Sequence, residues 1–344
     1  MHPTTRTTRR RVPGRATIAL AAAALLGLVA ACGTDTAPAG QAGTATRVVQ
    51  ADNGNITVPE RPQRIVATGY AVPTLLDAGA PLVGISAFAR ALPFLDADER
   101  RTYDTLPHIA GDTNTDVNME AIAALDPDLI VLGVPKPALE SFDLERLSAI
   151  APVVAIGPEI PSQWRDLSER QAAAAGAEAG FDAARAAYDA RAAELRTKYQ
   201  GVLPALEFGH VGSYGQVSQG TFAREFTNSF GTNIAHDIGV NYYGQVREPG
   251  PGAKAVSENV SLEEIVTSLG EADAITYSVN PDGSVPDAVR QVLDSQLWAQ
   301  LPAVQAGRAF PVRLTEATTY GGARKTLDAI DQALSPLLPP AAGS

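Results

Sequence analysis

The segment Asn118-Met-Glu-Ala-Ile-Ala-Ala-Leu125-Asp-Pro127-Asp-Leu129-Ile-Val-Leu132 decides the fold of this chain. Asn118 is a favourable helix N-cap, and the residues after it predict a helix that ends before Pro127. The apolar run from Leu129 is typical of a strand that is buried on both faces of a parallel sheet. A helix followed directly by such a strand is the repeating unit of an α/β protein.

The same alternation continues on both sides of this segment. Predicted strands cover 64–68, 81–86 and 153–156, and predicted helices cover 72–78 and 139–150. Residues 48–161 are therefore expected to form an N-terminal α/β lobe with a mostly parallel sheet.

Alanine, arginine, glutamate and glutamine at helical spacing fill much of residues 162–200, which are expected to form a helical linker. Gly176 and Gly180 interrupt this pattern and divide it into two pieces. The second piece, 182–200, would be about 29 Å long at a rise of about 1.5 Å per residue. That length is enough to cross between two lobes.

A second α/β lobe is expected over residues 201–344. Its predicted strands and helices lie, in chain order, at 206–211, 262–268, 274–277, 288–293, 309–312 and 322–334. The expected fold is therefore α/β with two lobes, each built on a mostly parallel sheet. One long α-helix bridges the lobes, and a ligand cleft lies between them.

The first 31 residues have the layout of a secretory signal peptide. Five arginines and no acidic residue accompany an apolar run at 16–31, which is shorter than the about 20 residues of a membrane span. Val29-Ala-Ala-Cys32 resembles a bacterial lipobox, so Cys32, the only cysteine, is expected to carry a lipid. An ordinary free thiol is the alternative.

Residues 32–47 are small and polar, and they are expected to form a flexible tether behind the lipidated cysteine. The mature chain would then sit on the extracytoplasmic face of a bacterial cell membrane, held by its lipid anchor. Arg9 and Arg10 leave both the general secretory route and the twin-arginine route open.

The mature chain is expected to be strongly acidic. Loss of the five arginines with the signal would leave 22 basic and 38 acidic residues, a net charge of −16 instead of −11. This charge argues against nucleic acid as a partner and repels anionic lipid headgroups, so the membrane contact is expected through the lipid anchor only. The single cysteine allows no internal disulfide, and we expect a monomer.

Four segments, in this order and spacing, carry a resemblance to a known family. They are Val58-Pro-Glu-Arg-Pro-Gln-Arg64-Ile-Val, Leu75-Leu-Asp-Ala-Gly79-Ala-Pro-Leu-Val-Gly84-Ile, Asn118-Met-Glu120 with Leu125-Asp-Pro127-Asp128-Leu-Ile, and Leu297-Trp-Ala-Gln-Leu-Pro302-Ala-Val-Gln-Ala-Gly307-Arg308. With them the chain, over about residues 48–336, resembles the iron-siderophore class of substrate-binding proteins of ABC importers. That group also includes vitamin B12 and haem binders.

The resemblance implies that the protein captures a ferric siderophore and delivers it to the permease of an ABC importer. The ATPase of the importer supplies the work, so the resemblance implies neither catalytic residues nor an intrinsic cofactor in this chain. It also implies permease docking through one glutamate on each lobe, which by position are Glu120 and Glu263. The alternative is that both are solvated first-turn helix acids, and Glu264 lies beside Glu263.

Ligands of open α/β sheets bind beyond the carboxyl ends of the strands. Arginines and aromatic residues there would suit a bulky chelate whose own oxygens coordinate the metal, because guanidinium groups donate to oxygens and aromatic rings pack on the organic shell. The candidate ligand-binding residues after predicted strands, or in a loop whose position the sequence leaves open for the last two, are Tyr70, Phe88, Arg90, Lys136, Tyr214, Arg313, Tyr242 and Tyr243.

Two other kinds of binding protein stay open from the sequence. Direct zinc or manganese binding would need about three histidines with a carboxylate, and His108, His210 and His236 are single and unclustered. We therefore predict no metal site, and a core position for His210. Haem or cobalamin binding by a protein of the same superfamily is the other alternative.

An anchored hydrolase is the least favoured hypothesis. Its nucleophile is expected in Gly-x-Ser-x-Gly, but Val211-Gly-Ser213-Tyr-Gly215 and Gln216-Val-Ser218-Gln-Gly220 both lack the first glycine. The sequence also has no Walker loop and no glycine-rich dinucleotide fingerprint at a strand end. We therefore predict a binding protein rather than an enzyme.

Overall fold

The computed structural model describes residues 45–112, 116–214 and 217–339, which belong to one compact unit. The signal peptide, Cys32 and most of the predicted tether lie outside the described residues. The described strands are β1 (Thr46–Ala51), β2 (Gly54–Pro59), β3 (Ile65–Gly69), β4 (Leu82–Ser86), β5 (His108–Ala110), β6 (Leu129–Gly133), β7 (Val153–Ala155), β8 (Glu207–Gly212), β9 (Thr221–Glu225), β10 (Asn241–Tyr242), β11 (Ser257–Ser261), β12 (Ala274–Ser278) and β13 (Ala309–Val312).

Helices follow most of the strands in the sequence. The described α-helices are α1 (Ala71–Asp77), α2 (Ala97–Thr105), α3 (Met119–Ala124), α4 (Leu144–Ser148), α5 (Trp164–Ala175), α6 (Glu178–Tyr199), α7 (Asn233–His236), α8 (Ile265–Leu269), α9 (Asp287–Leu293), α10 (Pro302–Gln305) and α11 (Tyr320–Leu334). Among the described residues, no helix combines the length and the apolarity needed to cross a bilayer.

The first lobe is built on a parallel sheet, which in the described part of the chain has the order β5-β4-β3-β6-β7. Successive side chains of a strand point to opposite faces of the sheet. Ile65 of β3 therefore packs with α1 and α5 on one face, whereas Val66 packs with Ile122 of α3 and Leu147 of α4 on the other. The predicted parallel sheet is confirmed.

The N-cap predicted at Asn118 is confirmed, whereas one predicted helix of the first lobe is not. The side chain of Asn118 accepts a hydrogen bond from the backbone N–H of Ala121 at 2.9 Å and caps α3. The single helix predicted at 139–150 is wrong, because a 3-10 helix, Lys136–Ser141, comes first and α4 begins only after Asp143. Asp143 caps α4 by accepting from the backbone N–H of Arg146, so the helix starts there.

Helix α6 bridges the two lobes and confirms the predicted long helix, although it begins at Glu178. Gly176, with φ of 67°, ends α5, but Gly180 lies inside α6. A Cβ at Gly180 would lie 2.1 Å from the carbonyl oxygen of Ala78, so glycine lets this end of α6 approach the first lobe. At the other end, the hydroxyl of Tyr199 donates to the carboxylate of Asp331 on α11 at 2.7 Å.

The second lobe contains a mixed sheet with the order β11-β9-β8-β12-β13 over the described residues, and β10 pairs with the first part of β8. Strands β8, β12 and β13 are parallel, as expected for a mostly parallel core, and β10, which was not predicted, is parallel to β8 as well. Strands β9 and β11 were not predicted from the sequence, and β9 runs antiparallel to both of its neighbours, β8 and β11. The connection from β8 to β9 is too short for the crossover that a parallel pair requires.

An antiparallel hairpin, β1 and β2, precedes the first lobe. Strand β1 begins at Thr46, inside the range 32–47 that the sequence analysis assigned to the tether. Arg47 on β1 donates to the carbonyl oxygen of Ala174 at 2.9 Å, near the C-terminus of α5. The hairpin is therefore attached to the helical linker.

Candidate ligand-binding cleft

The carboxyl ends of the two sheets face a cleft between the lobes. Tyr70 follows β3 of the first lobe, and Tyr214 follows β8 of the second. Arg90, in the 3-10 helix Ala89–Phe94 of the first lobe, reaches across and places its Nη2 3.0 Å from Oε2 of Glu316, which follows β13. The rule that ligands bind beyond the carboxyl ends of the strands, called the strand-end rule below, therefore predicts the position of the cleft correctly.

Arg90 is the centre of a cluster of aromatic residues. Its Nη1 donates to the hydroxyl of Tyr70 at 2.8 Å. Its Cζ lies 5.5 Å from the ring centroid of Tyr70, 5.1 Å from that of Tyr214 and 5.0 Å from that of Phe230, within the range of cation–π attraction. Phe88 is buried behind Tyr70, with 5.2 Å between the ring centroids. The structure thus brings together Tyr70, Phe88, Arg90 and Tyr214 of the predicted set.

The ionisation of this cluster suits hydrogen bonding to oxygen atoms. Burial raises the pKa of Tyr70 to about 12, so the phenol stays protonated. Burial lowers the pKa of Arg90, but Tyr70, Glu316 and Tyr214 together raise it by more, so the guanidinium stays charged. The hydroxyl of Tyr70 accepts from Arg90 and also interacts with the side chain of Tyr214, so a ligand would compete with Tyr214 for its O–H. A guanidinium has five N–H donors, so contacts with Tyr70 and Glu316 leave others for a ligand.

Three cavities are lined by residues of the Arg90 cluster. One cavity has a volume of about 240 Å³. Its wall includes Tyr70, Glu159, Trp164, Tyr214 and Phe230. The second, of about 210 Å³, is lined by polar and apolar residues that include Arg90, Phe94, Ser213, Asn280, Thr315 and Glu316. A third cavity, of about 620 Å³, shares Tyr214 and extends along the second lobe past Arg247 and Lys254. The first cavity therefore offers aromatic walls with a few polar groups, as small-molecule sites do, whereas the third is lined mostly by charged and polar residues.

The structure does not bring the other four candidates to the Arg90 cluster. Tyr242 is 3 % exposed, and its hydroxyl is 3.0 Å from Oγ1 of Thr276, because β10 pairs with the amino end of β8 rather than the carboxyl end. Tyr243 donates its hydroxyl proton to the carbonyl oxygen of Ser268. Lys136 is exposed at the start of its 3-10 helix.

Arg313 is exposed, and it donates to the side chain of Gln332 on α11 at 2.7 Å. Leu314, which follows it, has φ of 59°, and this unusual backbone conformation turns the chain so that Glu316 enters the cleft instead. Glu316, Phe230 and Trp164 also lie at the cleft, and the sequence did not predict them as cleft residues. The signal for Glu316 was the same strand end that pointed to Arg313.

The two candidate docking glutamates are exposed on separate lobes. Glu120 lies in the first turn of α3, and Glu263 lies in the 3-10 helix Leu262–Glu264 that follows β11. Glu264 is paired with Arg247, with 2.9 Å between their charged groups. This pairing distinguishes Glu263 from its neighbour.

The histidines do not form a metal centre in the described part of the chain, where no group of three or more His, Cys, Asp and Glu side chains could hold an ion. His210 lies on β8, fully buried, with Nδ1 2.7 Å from Oγ1 of Thr276 and Nε2 3.1 Å from Oγ of Ser278. Burial first and the charge of Arg224 second lower the pKa of His210 to about 3, so its ring is neutral. This is the core position that the sequence predicts.

Comparison with known proteins identifies the family. The model of the periplasmic binding protein family matches residues 65–312 of this chain. The chain belongs to the periplasmic binding protein family. The family is one of substrate-binding proteins, not enzymes, and the resemblance to siderophore-binding members seen in the sequence is confirmed.

Individual members of the periplasmic binding protein family are similar over most of their length. The iron(3+)-hydroxamate-binding protein YxeB of Bacillus subtilis is 26% identical over 280 residues, 78% of each chain. The siderophore periplasmic binding protein from the fuscachelin gene cluster of Thermobifida fusca is 29% identical, with a TM-score of 0.64 over 81% of this chain and 98% of that one. Staphylococcus aureus SirA, solved with staphyloferrin B, is 19% identical with a TM-score of 0.64 over 84% of this chain and 99% of that one, and shows the same fold.

Proposed function

We propose that this protein captures a ferric siderophore outside the cytoplasm and delivers it to the permease of an ABC importer. The observation that carries the proposal is the Arg90 cluster, in which a charged guanidinium and three aromatic rings meet at the cleft between two lobes. Relatives named for iron hydroxamates and siderophores support the same class of ligand.

The siderophore itself coordinates the iron, so the protein binds only the organic shell. The N–H donors of Arg90 and the O–H of Tyr70 would bind oxygen atoms of the chelate. The ring of Tyr214 would pack against its apolar backbone, while Phe230 and Trp164, which are buried, complete the cavity wall. This mode of binding needs no histidine or carboxylate ligand to the metal.

Delivery would use Glu120 and Glu263, one exposed carboxylate on each lobe, as an oriented charge match for basic residues of the permease. Arg247 already neutralises Glu264, so Glu263 is the better choice on the second lobe. The importer ATPase is then an indirect partner.

The mature protein would be a monomeric lipoprotein. In this proposal residues 1–31 are removed as a signal peptide, Cys32 carries the lipid, and residues up to 47 lead to the folded part. An N-terminal lobe at 48–161, a linker at 162–200 and a C-terminal lobe at 201–344 follow. The lipid would hold the protein at the extracytoplasmic face of the cell membrane, near its permease.

Intrinsic fluorescence tests the proposal, because Trp164 and Tyr214 line the cleft. The soluble form from Gly33 onward is titrated with ferric hydroxamates, ferric catecholates, ferric citrate, haem, cobalamin and free zinc. We expect saturable quenching by at least one ferric siderophore and none by zinc. Saturation by zinc, haem or cobalamin, with no response to any ferric siderophore, would refute the proposed ligand.

A further inference from the structure

Acidic residues outnumber basic residues in the described walls of the cleft. In the described walls of the three cavities, the basic residues are Arg90, Arg247 and Lys254, and the acidic residues are Glu159, Glu248, Glu258 and Glu316. Arg90 and Glu316 are 3.0 Å apart and neutralise each other. Arg247 and Glu258 form a second pair at 3.1 Å, and Glu159, Glu248 and Lys254 are exposed, so the described cleft walls carry one net negative charge.

This arrangement opposes an anionic ligand. To interact with the full charge of Arg90, an anionic ligand would have to displace Glu316 from the guanidinium. The displaced carboxylate of Glu316 would then remain in the same site, beside the anion. Both side chains are mostly shielded from water, with 28% and 30% of their surfaces exposed, and the rings of Tyr70, Tyr214 and Phe230 surround the guanidinium. Like charges in such a poorly screened site repel strongly.

A neutral ligand meets no such repulsion. Arg90 can keep its contact with Glu316 and still donate its remaining N–H groups to uncharged oxygen-rich surfaces. The cleft thus provides hydrogen-bond donors without a net positive charge. A ligand that carries an ammonium group would gain further from Glu159.

Ferric chelates differ in net charge according to their donor groups. Three hydroxamate groups, each with one negative charge, neutralise a ferric ion completely. A protonated amine elsewhere on the siderophore then makes the complex positive. Doubly charged catecholates give a complex with several negative charges. Resting on the proposed function, we infer that the cleft selects neutral or positive ferric chelates, of the hydroxamate kind, and that Glu316 and Glu159 are specificity-determining residues that reject anionic ones.

Titration with two probes of opposite charge tests the inference. The purified protein is titrated, at low ionic strength, with ferric desferrioxamine B, a cationic hydroxamate, and with ferric enterobactin, an anionic catecholate. We expect binding of the hydroxamate to be tighter by about 100-fold. Glu316→Gln and Glu159→Gln should each reduce this ratio by about 10-fold, mainly by strengthening the binding of ferric enterobactin.

Glu263→Gln provides the matched control, since it removes the same charge from an exposed position outside the cleft walls, and it should leave the ratio within about 2-fold. A preference based on ligand shape alone would not respond to either cleft variant, and that result would overturn the inference. Equal or tighter binding of ferric enterobactin by the unaltered protein would overturn it too, while the proposed function would stand. If no ferric siderophore binds, both this inference and the proposed function are refuted.

Discussion

Arg90 and Glu316 lie on different lobes, and their charged groups are 3.0 Å apart across the cleft. Arg90 belongs to the 3-10 helix after β4 of the first lobe, whereas Glu316 follows the last strand of the second. The two lobes thus each contribute one charge to the same point. A ligand that enters there contacts both halves of the protein.

Replacement of Arg90 by glutamine should weaken ferric siderophore binding by about 30-fold. The loss of one charge-assisted hydrogen bond accounts for about 2 kcal/mol, and the variant also leaves Glu316 unpaired. Fluorescence titration measures the change. Arg313→Gln, an exposed arginine at the end of β13, is the matched control and should bind normally. Equal losses in the two variants would contradict the assignment of the cleft.

Charge reversal at Glu120 or Glu263 should leave siderophore affinity unchanged while uptake of radiolabelled iron by cells falls by about 10-fold or more. The reason is that both carboxylates are exposed and neither lines the described cavities around Arg90. Asp182→Arg, on the exposed side of α6, controls for the change in net charge. Loss of ligand binding in Glu120→Arg would show that this residue is misassigned.

Gly180→Ala should destabilise the protein by about 1–3 kcal/mol, because the new Cβ would lie 2.1 Å from the carbonyl oxygen of Ala78. Helix propensity alone predicts the opposite sign, a gain of about 1 kcal/mol. Urea denaturation decides between them. At Gly201 a Cβ would meet nothing within 4 Å, so Gly201→Ala should leave the stability unchanged or slightly raised.

His210 should make the protein less stable in mild acid. The ring has a folded pKa of about 3 against an unfolded value of about 6.5, so only the unfolded state takes up a proton between these values. Stability therefore falls as the pH falls through this window, by about 2 kcal/mol at pH 5. Imidazole NMR should show a neutral ring at pH 5, and His210→Gln should reduce the slope of unfolding free energy against pH. A ring that titrates near pH 6.5 would refute this.

Cys32→Ala should release the protein from the cell surface. The thiol of Cys32 is the proposed site of lipid attachment, and the acidic chain has no affinity of its own for anionic headgroups. Cell fractionation with an antibody to the protein measures the distribution, and metabolic labelling with a fatty acid measures the lipid. Retention of the variant in the membrane fraction would contradict the lipid-anchor proposal.

The sequence predicts the parallel parts of the fold well, because buried parallel strands such as 129–132 are continuous apolar runs with capped helices before them. Strands β9 and β11 are not continuous apolar runs, so this pattern does not predict them. Thr221–Glu225 contains Arg224 and Glu225, both buried in the structure, and such charges do not mark a strand in the sequence. Their burial depends on partners that only the folded chain supplies.

The strand-end rule predicts the position of the cleft but only part of its lining. It selects Tyr70, Arg90 and Tyr214 correctly as neighbours. It fails at Arg313 because the positive φ of Leu314 decides which later residue enters the cleft. A local backbone reversal of this kind at a residue other than glycine leaves no mark in the sequence.

Helix α6 has consequences for how a transporter recognises a loaded carrier. The helix is a single element of 22 residues, attached to the first lobe at Gly180 and to α11 of the second at Tyr199. A continuous helix that contacts both lobes resists a change in their separation, so we expect the empty and the loaded protein to have nearly the same outline. A membrane receptor would therefore have to sense occupancy from small displacements at the rim, and empty carriers would compete with full ones for the same docking place.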